Sequence, residues 1–274
     1  MQAFICTTCG TQYPPSDGPP DNCAVCTDER QYVSPAGQAW TTQEKLALGH
    51  VNGWRQYTPD IIGIATQPRF AIGQRALLLR TAHGNVLWDC ISLLDAATVT
   101  LIEALGGIQA MAVSHPHFYT SINDWSRAFN VPVHLHAADR AWARRTDGEI
   151  RFWEGDRLEL LPDVTLVRGG GHFPGSSLLH WAKGAGGRGI VCASDTAYVA
   201  ADQRHVTFMR SYPNFMPLPA RNVEAIAAAL EPFAFDMMFG NFFESVIETG
   251  AKKAVSQSVE RYLAAIAPGA MFDG

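Results

Sequence analysis

Four cysteines near the N-terminus constrain this chain more than any other feature. They form two Cys-x-x-Cys pairs, Cys6 with Cys9 and Cys23 with Cys26, and the proline- and glycine-rich stretch YPPSDGPPDN lies between them. A segment with so little apolar content cannot fold on a hydrophobic core, so a bound metal must supply its folding energy. In a reducing compartment, such pairs indicate a metal site rather than disulfides. Residues 1–35 are therefore predicted to form a separate metal module.

The predicted module resembles a short rubredoxin-like or zinc-ribbon knuckle. Four thiolates can hold either zinc or iron in tetrahedral geometry, and the sequence does not choose between the two metals. One arginine, Arg30, stands against four acidic residues in this segment. That charge balance argues against a DNA-gripping ribbon. We expect the module to have a docking or stabilising role.

Composition limits the partners and the location of the chain. Its 274 residues carry a net charge of −5, so it lacks the broad basic surface that nucleic-acid binding requires. No apolar run has the length of a membrane span. The first residues, MQAFICTTCG, lack the basic start and apolar core of a signal peptide. We therefore expect a cytoplasmic protein that acts on a small molecule, without nucleic-acid or membrane partners and with an oligomeric state that the sequence does not indicate.

Residues 36–274 have the pattern of one α/β domain. Hydrophobic residues make up 47% of the chain, which is enough for a sizeable core. Strands crowd the middle and helices are interspersed without a repeat, which predicts a layered α/β sandwich whose strand-end loops carry function. The predicted helices cover 41–50 (with Thr41 and Glu44 as a capping box), 93–105, 123–129, 223–230 and 251–266. The predicted strands cover 76–80 and 86–89 (a hairpin), 109–114, 131–135, 157–161, 164–168, 177–181 and 190–194.

Metal-ligating residue types stand at the ends of predicted strands. His115 and His117 follow an apolar strand directly, and Asp195 follows another in VCASDT. His172 lies in GGGHFPGS, where the glycines permit a tight turn against a metal. Three imidazoles and a carboxylate are the ligand types expected for catalytic zinc. These four residues are therefore candidate ligands of a catalytic metal.

Taken in chain order, these motifs resemble those of the metallo-β-lactamase superfamily in its glyoxalase-II-like form. LLLRTAHGNVLWDC is similar to the early hairpin, with Asp89 at its strand end, and SHPHFYTSINDW is similar to the H-x-H-x-D-H loop. GGGHFPGS and VCASDTAY are similar to the G-G-H-T-P-G-S and G-D-T loops. The resemblance covers about residues 62–266. It implies an αββα sandwich, here with a four-cysteine metal knuckle at its N-terminus.

The resemblance also implies roles for single residues. His115, His117 and His172 would hold the first ion of the family's metal pair, and Asp195 would bridge the two ions. Tyr119 and Thr120 replace the aspartate and third histidine of the loop, and Asn241 stands near the place of the late histidine. Those missing residues hold the second ion in the family. We therefore expect one zinc ion at this site.

The expected chemistry is hydrolysis, in which a metal-bound hydroxide attacks an ester, thioester, lactone or amide carbonyl. Asp195 would bind the ion or accept a proton from the water. Tyr119 would stabilise the oxyanion, protonate the leaving group, or only fill the vacated second site. A degenerate, non-catalytic metal-binding protein of the same fold is the first alternative. A redox protein and a nuclease are the others.

Several neighbouring residues have weaker patterns. Asp89 is expected to orient one of the histidine ligands. His134 and His136 form a second His-x-His pair, which is expected to be ordinary polar residues of a strand. Cys90 and Cys192 adjoin aspartates of the motifs and are expected to be buried, inert thiols.

Overall fold

A small antiparallel sheet carries the N-terminal cysteines. The structure is a computed structural model that describes residues 1–271, and these residues form two units that divide after Glu154. In the first unit the small sheet has the order β2-β1-β3, with β1 (Gln2–Cys6), β2 (Gln12–Ser16) and β3 (Trp40–Thr41). The four cysteines, Tyr13 and Val25 form a small buried cluster, against which Trp40, Ile72 and Trp142 pack.

The first unit also contains a seven-stranded sheet of order β10-β9-β8-β7-β6-β5-β4. Its strands are β4 (Val51–Thr58), β5 (Ile61–Gln67), β6 (Arg75–Thr81), β7 (Gly84–Trp88), β8 (Ala110–Ala112), β9 (Val133–His136) and β10 (Ile150–Trp153). The helices of this unit are α1 (Gln43–Ala47), α2 (Ala96–Ala104) and α3 (Ile122–Phe129). Strands β4 to β7 pair antiparallel and β7 to β10 pair parallel, so α2 and α3 form the crossovers that parallel pairs need.

The crossover α3 places the His-x-His loop at a strand end. Its apolar face packs into the core of this unit through Ile122 and the fully buried Trp125. The helix ends at Asn130, whose left-handed backbone (φ 52°) is a conformation that asparagine tolerates. Because β8 and β9 are short and buried, the loop between β8 and α3 leaves the sheet from a rigid base.

The second unit is built on a six-stranded sheet of order β11-β12-β13-β14-β19-β20. Its strands are β11 (Arg157–Leu161), β12 (Val164–Arg168), β13 (Ser177–Trp181), β14 (Ile190–Cys192), β19 (Met237–Phe239) and β20 (Val246–Ile247). Two small hairpins pair β15 (Tyr198–Val199) with β16 (Val206–Thr207), and β17 (Met209–Ser211) with β18 (Met216–Pro217). The helices are α4 (Gly184–Gly187), α5 (Ala220–Leu230) and α6 (Ala251–Ala265). Apolar residues of α5 and α6 pack against buried residues of β14 and β19.

Each predicted strand and helix is present, with end shifts of at most three residues. The predicted capping box at Thr41 is wrong, because the backbone of Thr41 pairs with Ile5 in the small sheet. Thr42 caps α1 instead, and its hydroxyl accepts the amide hydrogen of Lys45 at 3.3 Å. Strands β1 to β5, β10 and β15 to β20 and helix α4 were absent from the sequence-based prediction.

Candidate metal centres

The four N-terminal cysteines come together in one buried group. Their sulfur atoms lie within 4.8 Å of one another, and the Cys6–Cys26 and Cys9–Cys23 pairs are each 3.6 Å apart. Each Cys-x-x-Cys turn closes in the same way, since Gly10 N donates to Cys6 O at 2.9 Å and Thr27 N donates to Cys23 O at 3.0 Å. The sulfur separations exclude disulfide bonds within this group.

The surroundings of this group lower the pKa of Cys6 and Cys23, whereas burial raises the pKa of Cys9 and the hydrogen bond with Cys23 raises that of Cys26. Gln38 Nε2 donates to Cys6 Sγ at 3.1 Å, and Tyr13 Oη donates to Cys23 Sγ at 3.5 Å. Hydrogen bonds from the other thiols, that of Cys26 above all, hold the pKa of Cys23 well below the ordinary value for a thiol. Four converging sulfurs at these separations fit a tetrahedral metal ion.

A second group contains the predicted histidine ligands and Asp195. Each of His115, His117, His172 and Asp195 offers one ligand atom, and these atoms all lie within 4.8 Å of one another. All four residues are buried, and the three imidazoles are at most 3% exposed. Buried imidazoles and a carboxylate at such distances are a donor set that fits a divalent cation such as zinc.

The loop after β8 presents His115 and His117. Residues Pro116–Phe118 form a single 3₁₀ turn, so the two rings meet edge to face with centroids 5.2 Å apart. Ser114 Oγ lies 2.9 Å from His115 Nδ1 and fixes the orientation of that ring. Asp89, which has a left-handed backbone (φ 62°), accepts the amide hydrogen of Ser114 at 2.8 Å. Asp89 therefore holds the backbone from which the Ser114–His115 contact is made.

The glycine-rich loop after β12 presents His172. Gly170 and Gly171 both have positive φ values (65° and 77°), which side-chain-bearing residues rarely adopt. His172 Nδ1 lies 3.1 Å from the carbonyl oxygen of Met209. Since a carbonyl can only accept, Nδ1 carries the proton, and Nε2 is the nitrogen with a lone pair for a metal.

Asp195 follows β14 and lies beside His172 and Asn241. Its Oδ2 is 3.7 Å from His172 Nε2, and its Oδ1 accepts a hydrogen bond from Asn241 Nδ2. Strand β14 pairs parallel with β19, with Cys192 opposite Phe239, so the loops that carry Asp195 and Asn241 leave the sheet at the same edge. Asn241 Oδ1 is buried and accepts no hydrogen bond from any described residue. A buried carbonyl oxygen of this kind is compatible with a nearby cation or water.

Tyr119 is buried in the protein rather than exposed to solvent. It is 3% exposed and belongs to the hydrophobic core of the first unit. Burial first, and then the charge of Asp139, raise the pKa of its phenol well above the ordinary value. The phenol therefore stays protonated at neutral pH, and Tyr119 is a poor metal ligand there.

The remaining candidates stay outside both groups. His134 lies on β9 with Nδ1 3.2 Å from Met111 O, and burial lowers its pKa. His136 caps the following 3₁₀ turn by accepting the amide hydrogen of Ala138 at 3.1 Å. Cys90 is fully buried, and burial raises the pKa of its thiol. Cys192 is buried within β14.

Two supporting residues were missed at the level of sequence. Ser114 contacts the candidate ligand His115 directly, and Tyr212 Oη donates to the backbone carbonyl of Asp195 at 3.0 Å. Neither has a distinctive motif; Ser114 could have been found only from its place between a strand and the His-x-His pair.

Comparison with known proteins shows that almost the whole chain is similar in sequence to one bacterial protein. No protein-family profile matches the sequence. YmaE, an uncharacterized protein of Bacillus subtilis (strain 168), is 44% identical over 268 residues, which cover 97% of this chain and 97% of YmaE. The chain belongs to the YmaE family. The matched residues span almost the full length of both chains.

Solved structures identify the fold of this YmaE relative. The metallo-β-lactamase FIM-1 from Pseudomonas aeruginosa, in its mono-zinc form, matches with a TM-score of 0.57 and 13% identity over 77% of this chain and 95% of FIM-1. The metallo-β-lactamase DIM-1 matches with a TM-score of 0.56 and 10% identity over 77% of this chain and 97% of DIM-1. A double mutant of the sec-alkyl sulfatase PisA1 matches with a TM-score of 0.54 and 12% identity, over 79% of this chain and 42% of PisA1.

The fold is therefore the mixed α/β fold of metallo-β-lactamases, with a four-cysteine group near the N-terminus, as the sequence predicts. At these identities the likeness concerns the fold alone. Among residues 1–271, no helix combines the length and the apolar character needed to cross a membrane.

Proposed function

We propose that this chain is a metal-dependent hydrolase of the glyoxalase-II-like type, which uses one zinc ion to cleave an ester, thioester, lactone or amide. One observation carries the proposal: three buried imidazoles and a carboxylate offer ligand atoms within 4.8 Å of one another. The fold supports it, because FIM-1, a metallo-β-lactamase of this fold, has a mono-zinc form. The substrate is proposed to be a small molecule in the cytoplasm.

Asp195, Asn241 and His172 would have separate roles at this site. When bound, a divalent ion supplies Lewis acidity toward a carbonyl and toward water. Asn241 occupies Oδ1 of Asp195, so Oδ2, which lies 3.7 Å from His172 Nε2, is the oxygen that binds the ion or takes a proton. The Met209 carbonyl holds the proton of His172 at Nδ1.

Tyr212 supports the backbone of Asp195 at working pH. Its hydroxyl donates to Asp195 O, and burial, followed by the charge of Asp195, raises the pKa of the phenol well above its ordinary value. The hydroxyl therefore keeps its proton and continues to donate across the neutral range. A catalytic role for Tyr119 as a hydrogen-bond donor is part of the proposal.

The cysteine group is proposed to be a rubredoxin-like or zinc-ribbon site that holds zinc or iron for a structural purpose. It lies in a segment whose buried cluster consists mainly of the cysteines themselves. A metal there would supply folding energy that the segment's apolar contacts do not provide.

Hydrolysis assays on purified protein test the proposal. The panel consists of ester, thioester, lactone and amide substrates, with a sulfate ester added because PisA1 is an alkyl sulfatase. Activity on one carbonyl class should disappear when a chelator removes the histidine-site ion and should return with zinc. His172→Ala should lose both ion and activity, whereas His83→Ala, at an exposed position, should keep both.

A His172→Ala protein that retains the ion would contradict the ligand assignment. Metal binding without turnover of any panel member would instead support the alternative of a non-catalytic metal-binding protein.

A further inference from the structure

Residues 9–12 of the cysteine module contact the loop that carries the ligand histidines. The link runs through Gln74, a buried residue immediately before β6. Its side-chain Nε2 donates to His117 O at 3.1 Å and also lies 3.5 Å from Cys9 O. A carboxamide NH₂ group has two hydrogens, so one side chain can serve both carbonyls. One carbonyl belongs to a cysteine ligand and the other to a histidine ligand.

A second contact holds the same loop at Thr120, three residues after His117. Gln12 N donates to Thr120 O at 3.0 Å. Thr120 has a left-handed backbone (φ 27°), a conformation that costs free energy in a non-glycine residue and needs support from its surroundings. The Gln12 side chain continues the connection, because its Nε2 donates to Asp124 Oδ2 at 2.6 Å and its Oε1 accepts from Arg145.

A third contact starts from Gly10. Its carbonyl accepts a hydrogen bond from Ser92 Oγ at 3.0 Å. A Cβ atom at Gly10 would lie 2.4 Å from that Oγ and 3.4 Å from Thr120 Cγ2, so the turn fits closely against both residues. Ser92 O in turn accepts from Ser121 Oγ. Cys9, Gly10 and Gln12 are therefore all linked to the segment from His117 to Asp124. Gln12 contacts it directly, and the other two are linked through Gln74 and Ser92.

We infer that Gln74 is a positioning residue that couples the metal state of the cysteine module to the geometry of His115 and His117. A metal on the four sulfurs fixes the Cys6–Cys9 turn, and that turn fixes the carbonyl of Cys9. Gln74, which contacts both carbonyls, then sets the position of the His117 carbonyl relative to that of Cys9. Because metal ligands must be placed within a few tenths of an ångström, loosening this support weakens ion binding at the histidines. The coupling is reciprocal, so each ion raises the affinity for the other.

This inference rests on the proposed function for its first readout, zinc affinity at the histidines. Its second readout, amide hydrogen exchange, does not depend on the proposed function. The test compares Gln74→Met, which keeps the side-chain length but removes the NH₂ group, with Asn85→Leu. Asn85 is a matched control, since its Nδ2 also bridges two backbone carbonyls, those of Leu105 and Gly107. It lies at the start of β7, whereas the histidine loop follows the end of β8, the parallel neighbour of β7.

The first readout is zinc affinity at the histidine site, measured on the full chain by competition with a chromophoric chelator. Cobalt substitution reports on the cysteine site separately, because only thiolates give sulfur-to-cobalt charge-transfer bands. We expect Gln74→Met to keep these bands and to bind the histidine-site ion about tenfold more weakly or worse. Asn85→Leu should bind it with wild-type affinity. A variant with Cys6→Ser and Cys26→Ser should lose the bands and show the same weakening as Gln74→Met.

The second readout needs no ion at the histidines. Amide hydrogen exchange of the peptide covering residues 115–121 should be faster in Gln74→Met and in the cysteine variant than in Asn85→Leu or the wild type. Unchanged exchange and unchanged zinc affinity in Gln74→Met would overturn the inference. So would a cysteine variant whose 115–121 peptide exchanges at the wild-type rate. If the wild type binds no ion at the histidines, the proposed function fails, and the exchange rates alone still decide the coupling.

Discussion

Asn241 and Asp195 form a hydrogen-bonded pair at the place where the family resemblance implies a second metal. The amide of Asn241 donates to Asp195 Oδ1, and its own carbonyl oxygen is buried. A histidine in that position could bind an ion, whereas the asparagine instead orients the carboxylate. The sequence indicated the replacement, but the hydrogen bond depends on the parallel pairing of β14 with β19.

Removal of the phenolic oxygen of Tyr119 tests the proposed catalytic role of this residue. Because its raised pKa keeps the phenol protonated, Tyr119 can contribute only as a hydrogen-bond donor or an acid near neutral pH. If it acts on the reacting carbonyl, Tyr119→Phe should lower kcat by about tenfold or more while leaving KM and the metal content unchanged. The measurement is steady-state kinetics on the best panel substrate, together with elemental analysis.

The same Tyr119→Phe protein also reports on packing. Tyr119 is part of the hydrophobic core, and phenylalanine preserves most of its volume. An unchanged kcat would assign the tyrosine to core packing alone and remove it from the catalytic residues.

At the scale of elements, the Cys6–Gly10 turn does two things at once. It brings Cys6 and Cys9 to one side of the small sheet, and it presents Gly10 to Ser92. The sequence predicted the first role from the Cys-x-x-Cys spacing. The second could not be predicted, since its partners are some 80 residues away and the contacts use backbone carbonyls, which every residue type has.

Substituting two glycines with similar φ values separates the effect of the Gly10–Ser92 contact from the cost of a left-handed backbone. Gly10 has φ 84° with Ser92 Oγ in the way of a Cβ atom, whereas Gly37 has φ 91° and nothing within 4 Å. Gly37→Ala should lower the free energy of unfolding by about 1 kcal/mol, the cost of a left-handed alanine. Gly10→Ala should cost about 1–3 kcal/mol more, because the clash must also be relieved. Chemical denaturation of both zinc-loaded variants measures the difference.

Equal losses in the two glycine variants would mean that the Gly10 turn can move away from Ser92 without cost. The close fit would then have no energetic consequence.

Element types were predictable where a short sequence window decides them. Strands β11, β12 and β13 have the predicted bounds because each is a short run bounded by polar or glycine-containing turns. Strand β4 was missed because most of its residues are only partly buried, as befits a strand at the edge of the sheet. Its assignment needs the partner strand β5, which local pattern does not supply.

At the scale of the whole molecule, the two groups set the metal content. The described residues contain one group of four cysteines and one group of three histidines with an aspartate. Tyr119 and Thr120 offer a protonated phenol and a hydroxyl in place of a carboxylate and an imidazole, so we expect them not to hold a second ion beside the first. We expect two metal ions per chain, one in each group, by elemental analysis of protein prepared without chelators.

Two experimental results would contradict the expected content of two metal ions per chain. Three tightly bound ions per chain, or a second ion within about 4 Å of the histidine-site ion in a density map, would show that the site is dinuclear. His134, His136 and Cys192 would then be the first residues to reconsider as ligands.

Sequence alone predicted the metallo-β-lactamase fold and the two groups of candidate metal ligands, which the structure brings together. The loss of the family's second-site residues stays a prediction. Cysteine spacing and the histidines and aspartate at strand ends are local patterns, and their chemistry follows from residue type. The separation of residues 1–35 from 36–274 as domains stays a prediction. Tertiary structure alone decided what supports the ligands: Ser114 on His115, Met209 on His172, and Gln74 on both Cys9 and His117. Such contacts join distant parts of the chain through backbone atoms, so no residue pattern records them.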